Sequence, residues 1–152
     1  MRSWQAAYRG LVPESFLRSL SIEHREATWR ELLENRTSDV WVAGEEGGML
    51  GWICVGKSRD PDVDATTAEL WAIYVDPNRW RRGVGHALWS RAAEHLRASE
   101  FSRVTVWVLK ENAEALRFYG SIGFVADPGH EKTIELGGAE LVEIRLRRDV
   151  VG

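Results

Sequence analysis

AELWAIYVDPNRWRRGVGHAL, residues 68–88, starts as an almost wholly apolar run and ends as the beginning of an amphipathic one. Only Glu69 interrupts the first eight residues, so they read as a central strand buried on both faces. From Val84 the period changes. Leu88, Ala92 and Leu96 form one stripe with Trp89 and Ala93 beside it, the spacing of a helix running to about Ser99. Arg79, Arg81, Arg82, Gly83 and Gly85 lie between strand and helix. A helix N-terminus presents N–H groups without intrahelical partners and about half a positive charge, which suits phosphate. Glycine lets the backbone approach an anion closely, and arginine adds charge and paired hydrogen bonds. The junction therefore reads as a pyrophosphate cradle; a basic helix cap without a ligand is the other reading.

Working outward, DVWVAGEEGGMLGWICVG (39–56) reads as a hairpin around Gly47-Gly48, and RDPDVDATT as a polar loop. RVTVWVL (103–109) is a second buried strand. A helix follows through NAEALRFYGSIGF, and EKTIEL with AELVEIRL closes the chain as a hairpin across Gly137-Gly138. Upstream, Ser3 to about Arg36 has helical spacing, with Trp4 and Tyr8 on one face and Ala7 and Leu11 on another. GLVP interrupts it, Phe16, Leu17 and Leu20 follow, and Ser21 caps a helix carrying Trp29, Leu32 and Leu33. The expected fold class is α/β (α+β), one mixed sheet flanked by helices in a single domain, 1–152.

Composition excludes several functions. A net charge of −3 argues against general nucleic-acid binding, and no apolar run approaches a bilayer span. Cys54 is the only cysteine, which leaves no intrachain disulfide or cysteine-built zinc site; no metal is expected. The first residues lack a signal peptide's apolar core, so a reduced, cytoplasmic setting is expected. Of the eight tryptophans, Trp41, Trp52, Trp71 and Trp107 lie in strand-like runs and are expected in the core. Cys54, in an apolar strand, is expected to be buried and inert.

Three motif matches fail on context. A dinucleotide fingerprint needs a third glycine where Leu88 stands. Gly51–Ser58 satisfies the P-loop spacing, but its middle is Trp-Ile-Cys-Val, a strand, and no helix follows. Asp60, Asp62 and Asp64 imitate a calcium loop, yet Ala65 and Trp71 occupy the glycine and closing-carboxylate positions. That run reads as a solvated loop; a loop facing a cationic substrate is the other reading.

Taken together, AELWAIYVDPNRWRRGVGHAL and VLKENAEALRFYGSIGFV resemble the GNAT superfamily of N-acetyltransferases. Gly83-Val84-Gly85 matches the glycines of its [QR]-x-x-G-x-[GA] loop. Asn112, Ala115, Phe118, Tyr119, Gly123 and Phe124 match its second block. The resemblance implies acetyl-CoA as cosubstrate, an amine acceptor, and direct attack in a ternary complex. Two departures stand out. Trp80 holds the Gln/Arg position, with Arg79 one place early, and Met1 lies where the fold's first strand should already have passed. A missing edge strand beside 39–43 would mean a late start, or an edge covered by a second subunit in a homodimer.

The resemblance also implies site residues. Arg81, Arg82, Gly83, Val84, Gly85, His86 and Ala87 would hold the pyrophosphate. Ile73, Tyr74 and Val75 would bind the pantetheine arm, largely through backbone groups, as an added strand would. Asn112 and Phe118 would complete the coenzyme site, unless Asn112 only caps its helix. Glu69, read as sharing a strand face with Trp71, Ile73 and Val75, matches the general base, and Tyr119 the general acid. A phenol stays protonated at pH 7 and can protonate a thiolate. A solvated strand-start glutamate and a packed core tyrosine are the structural alternatives. A non-catalytic acyl-CoA-binding module on the same fold is the alternative function.

Overall fold

A computed structural model of the chain describes residues 8–20, 22–35 and 37–151. Trp4, Ala7, the expected cap Ser21 and the side chain of Leu32 lie outside the described residues. The elements are α1 (Glu14–Ser19), α2 (Ile22–Glu34), β1 (Ser38–Glu45), β2 (Gly48–Lys57), β3 (Thr67–Val75), a 3-10 turn (Pro77–Arg79), α3 (Val84–Ala98), β4 (Arg103–Leu109), α4 (Ala113–Ser121), β5 (Val125–Leu136) and β6 (Ala139–Asp149). The sheet is mixed, with strand order β1-β2-β3-β4-β6-β5, so β1 stands at one end. β1–β2 and β2–β3 are antiparallel and β3–β4 parallel.

The chain divides into two compact units, Thr37–Val106 with Arg147–Gly152 forming one of them. In that unit α3 lays Leu88, Trp89, Ala92, Ala93 and Leu96 against the sheet, and all five are buried. Ile53, Val55, Leu70 and Val104 form its fully enclosed centre. Burying each leucine or isoleucine stabilises the fold by about 1.5–3 kcal/mol. The helix ends on Ser99, Glu100 and Phe101. Phe101 N–H donates to the Leu96 carbonyl and Glu100 N–H to that of Arg97, and Glu100 is left-handed at φ 63°. This is a Schellman ending with glutamate where glycine is usual.

The other unit joins the residues before Thr37 to Trp107–Leu146. Tyr8 lies in a turn rather than a helix, its carbonyl accepting from the N–H groups of Leu11 and Val12. The closing hairpin is longer than expected, since β5 begins at Val125 and runs through Pro128. Proline cannot donate to a ladder, but β5 is the last strand of the sheet, where none is required. Arg145 on β6 is buried and donates from Nε to Asp127 Oδ2 at 2.7 Å.

The strand tryptophans depart from expectation, for Trp41, Trp52, Trp71 and Trp107 are all half-buried. Each lends a ring face to a neighbour. Lys132 lies 4.1 Å from the Trp107 ring centre and Arg59 4.5 Å from that of Trp71, while Trp41 meets His95 and Trp52 meets Tyr74. An indole beside a cation or a second ring keeps one face in that contact instead of in the apolar interior.

Candidate active site

β3 and β4 pair over only three positions, Thr67 with Arg103, Ala68 with Val104 and Glu69 with Thr105. Burial follows the pairing: Thr67–Leu70 are buried, whereas Trp71–Val75 are half-buried, so the expectation of a strand buried throughout holds for its first half alone. Asp76 N–H donates to the Leu50 carbonyl at 2.7 Å, which sets the ladder's phase. Tyr74 and Ala72 therefore direct their backbone groups at β2, and Ile73 and Val75 direct theirs away from it. Beyond Glu69 that side of β3 has no β4 partner, and an extended amide-bearing chain can add there.

At the end of this edge the Trp80 indole Nε1 donates to the Val75 carbonyl at 2.9 Å. The turn beneath it is also held by the Asp76 side chain, which accepts from Asn78 N–H, and by an Arg79–Glu45 ion pair. Arg79 is thus engaged with β1, while Arg81 and Arg82 are exposed at the head of α3. Gly83 is the helix N-cap at φ 81°, a left-handed geometry that glycine adopts without strain. Having no side chain, Gly83 makes no side-chain cap to the first turn of α3. Strand edge, 3-10 turn and the Gly83-capped start of α3 thus follow one another along the chain.

Glu69 corrects the expected side-chain phase. Trp71 has no partner in β2, since Cys54 pairs with Ala72 and Val55 with Leu70. This bulge shifts the alternation by one residue. Glu69 pairs with Gly56, and Tyr74 with Trp52, residues on one face of the uninterrupted β2. Ile73 and Val75 fall on the other face, which α3 covers through the Trp41–His95 contact. Trp71 stays on Glu69's face, its ring so near Gly56 that a Cβ there would meet it at 3.0 Å.

The Glu69 side chain is 4% exposed and is held by Arg59, whose own side chain is 60% exposed. Arg59 N–H donates to Oε1 at 3.1 Å; its Nε and Nη2 donate to Oε2. The sequence reading did not single out Arg59. Antiparallel pairing of Lys57 with Ala68 is what makes residues just past β2 neighbours of the start of β3.

Asn112, Phe118 and Tyr119 belong to the other compact unit. Asn112 is the N-cap of α4, its Oδ1 accepting from Ala115 N–H at 3.1 Å. Tyr119 is buried with its ring edge-on to Phe118 and Phe124, at 5.4 and 5.7 Å between centres. Cys54 is buried, and burial pushes its thiol pKa up. Asp64 accepts from the hydroxyl and N–H of Thr66, which hold its carboxyl below the usual range. That is turn chemistry, and among the described residues no cluster of His, Cys, Asp and Glu could hold a metal. No described helix is long and apolar enough to cross a membrane.

Comparison with known proteins identifies the family and the fold. Residues 3–124 match the acetyltransferase (GNAT) family. The chain is 31% identical over 145 residues to YuaI of Bacillus subtilis, an uncharacterized N-acetyltransferase, covering 95% of this chain and 80% of YuaI. Among solved structures it is similar to the PaiA N-acetyltransferase of Thermoplasma acidophilum in complex with coenzyme A (TM-score 0.72, 18% identity, 97% of this chain and 86% of that one). It is also similar to yncA of Salmonella typhimurium with acetyl-CoA (TM-score 0.69, 23% identity, 88% and 76%). The chain belongs to the GNAT family of acetyl-CoA-dependent N-acetyltransferases.

Proposed function

We propose that this protein moves the acetyl group of acetyl-CoA to a primary amine by direct attack in a ternary complex, the acceptor being a small-molecule amine or a protein amine. The observation that carries this reading is the β3 edge left open beyond Glu69 and leading to the Gly83-capped helix. Bound there, the cosubstrate would supply a thioester and a leaving thiolate. Ile73 and Val75 have backbone groups directed to hold the pantetheine amides, and one of their N–H groups can serve an oxyanion. Tyr74 would border the arm from β3. Arg81, Arg82 and the Gly83–Ala87 turn would hold the pyrophosphate, with Asn112 and Phe118 contributing from α4 and its cap.

An alkylamine with a pKa of about 10.4 costs roughly 4–5 kcal/mol to deprotonate at pH 7, so a proton acceptor helps. Glu69 is our choice. Arg59 already takes one bond on Oε1 and two on Oε2, which leaves room for a further donor on Oε1. Tyr119 Oη would hold the proton that the departing sulfur needs. Cys54 takes no part, being buried and protonated at neutral pH.

The test is thermal stability with acetyl-CoA, CoA, ATP and NAD side by side, then thiol release across a panel of amines. At 100 times its Kd a ligand adds about 2.7 kcal/mol of stability. Stabilisation by the two CoA species alone, followed by release with an amine, is expected. Stabilisation by ATP or NAD instead would overturn the assignment.

A further inference from the structure

The contact between Glu69, Trp71 and Arg59 has the composition of a cation site. A carboxylate 4% exposed and the face of an indole converge on one guanidinium. The guanidinium arrives on a side chain that is itself 60% exposed. Arg59 is the only basic residue of the Ser58–Thr66 loop, which also carries Asp60, Asp62 and Asp64. With Arg59 turned outward, the carboxylate, the ring and the loop's negative field would all remain.

We propose that Glu69 and Trp71 form a cation-binding subsite that Arg59 fills in the free protein and that a cationic group of the acceptor, an ammonium or guanidinium, takes over. Stranding a buried carboxylate is costly, but exchanging one cation for another is not. The Arg59 N–H to Oε1 bond belongs to the backbone and can persist while the side chain leaves. Gly56 backs this face closely, because a Cβ there would meet both the Trp71 ring and the Thr37 carbonyl oxygen at 3.0 Å and the ring would have to give way slightly. The identification of the cation with the acceptor rests on the acetyl-transfer reading. The cation site itself does not.

The probes are methylguanidinium and methylammonium, titrated against sodium chloride at equal ionic strength. The readout is the indole Nε1–H resonance of Trp71 in nitrogen-15-labelled protein, identified by its loss in Trp71→Phe. In Arg59→Ala the resonance should shift saturably, while the parent, where the probe must first displace Arg59, should need a higher probe concentration for the same shift. Adding Glu69→Gln to Arg59→Ala should weaken binding at least about tenfold, the loss expected for one charge-assisted contact. No saturable shift in Arg59→Ala overturns the proposal, as does an equal shift at the same probe concentration in the parent or in the double variant. If Arg59→Ala does not fold, Arg59→Met, which keeps an unbranched stem over the ring, is read in the same way. Turnover is not involved. A failed titration therefore removes the cation site alone, whereas CoA binding without thiol release removes the acetyl-transfer reading alone.

Discussion

Replacing Trp80 by phenylalanine keeps a ring in place and deletes one hydrogen bond, Nε1 to the Val75 carbonyl at 2.9 Å. A neutral hydrogen bond contributes about 1 kcal/mol net, and the smaller ring adds a fraction more through lost burial. The stranded carbonyl lies on the unpaired side of β3, where water can replace the indole, so the full cost of a buried orphan does not apply. The Asp76–Asn78 contact and the Arg79–Glu45 pair still hold the turn. The expected loss is therefore about 1–2 kcal/mol, or about 3–6 °C in Tm for a chain of this size. Because the indole ties the cradle's turn to the strand, loosening it should weaken CoA binding about fivefold, the equivalent of 1 kcal/mol. Urea and thermal melts would read the first quantity and calorimetry with CoA the second. An unchanged Tm would refute the anchoring role. Tighter CoA binding in the variant would refute it differently, by showing that the indole competes with the coenzyme for the Val75 carbonyl.

Three further outcomes are expected. Tyr119→Phe should lower kcat by about a hundredfold or more with little change in acetyl-CoA affinity, and parental turnover would remove the proton-donor role. Glu100→Gly should raise stability by about 1 kcal/mol in a denaturant melt, since glycine takes the left-handed position without strain. Cys54, whose thiol pKa is raised by burial, makes its full contribution below the unfolded thiol's pKa of about 8.5 and loses it as pH rises toward the folded value. Melts across that range should show stability falling with pH, and Cys54→Ala should flatten the slope.

Apart from the turn at Tyr8 and the early start of β5, the sequence already marks which described segments become which elements, because those signals are local. The hairpin at Gly47-Gly48, the polar loop before β3, the helix from Val84 and the strand Arg103–Leu109 all lie where period and turn residues put them. The arginine–glycine junction was legible as a turn leading into a glycine-capped helix for the same reason, its residues being consecutive. Whatever depends on which residue pairs with which across the sheet came only with the assembled fold. A single unpaired residue, Trp71, placed Glu69 on the face opposite Ile73 and Val75, and alternation within one strand carries no sign of a bulge. The hold of Arg59 on Glu69 and the stop in β3–β4 pairing after three positions likewise arise between separate segments. Register and burial there are settled by the partner strand, so no property of either segment taken alone could have stated them.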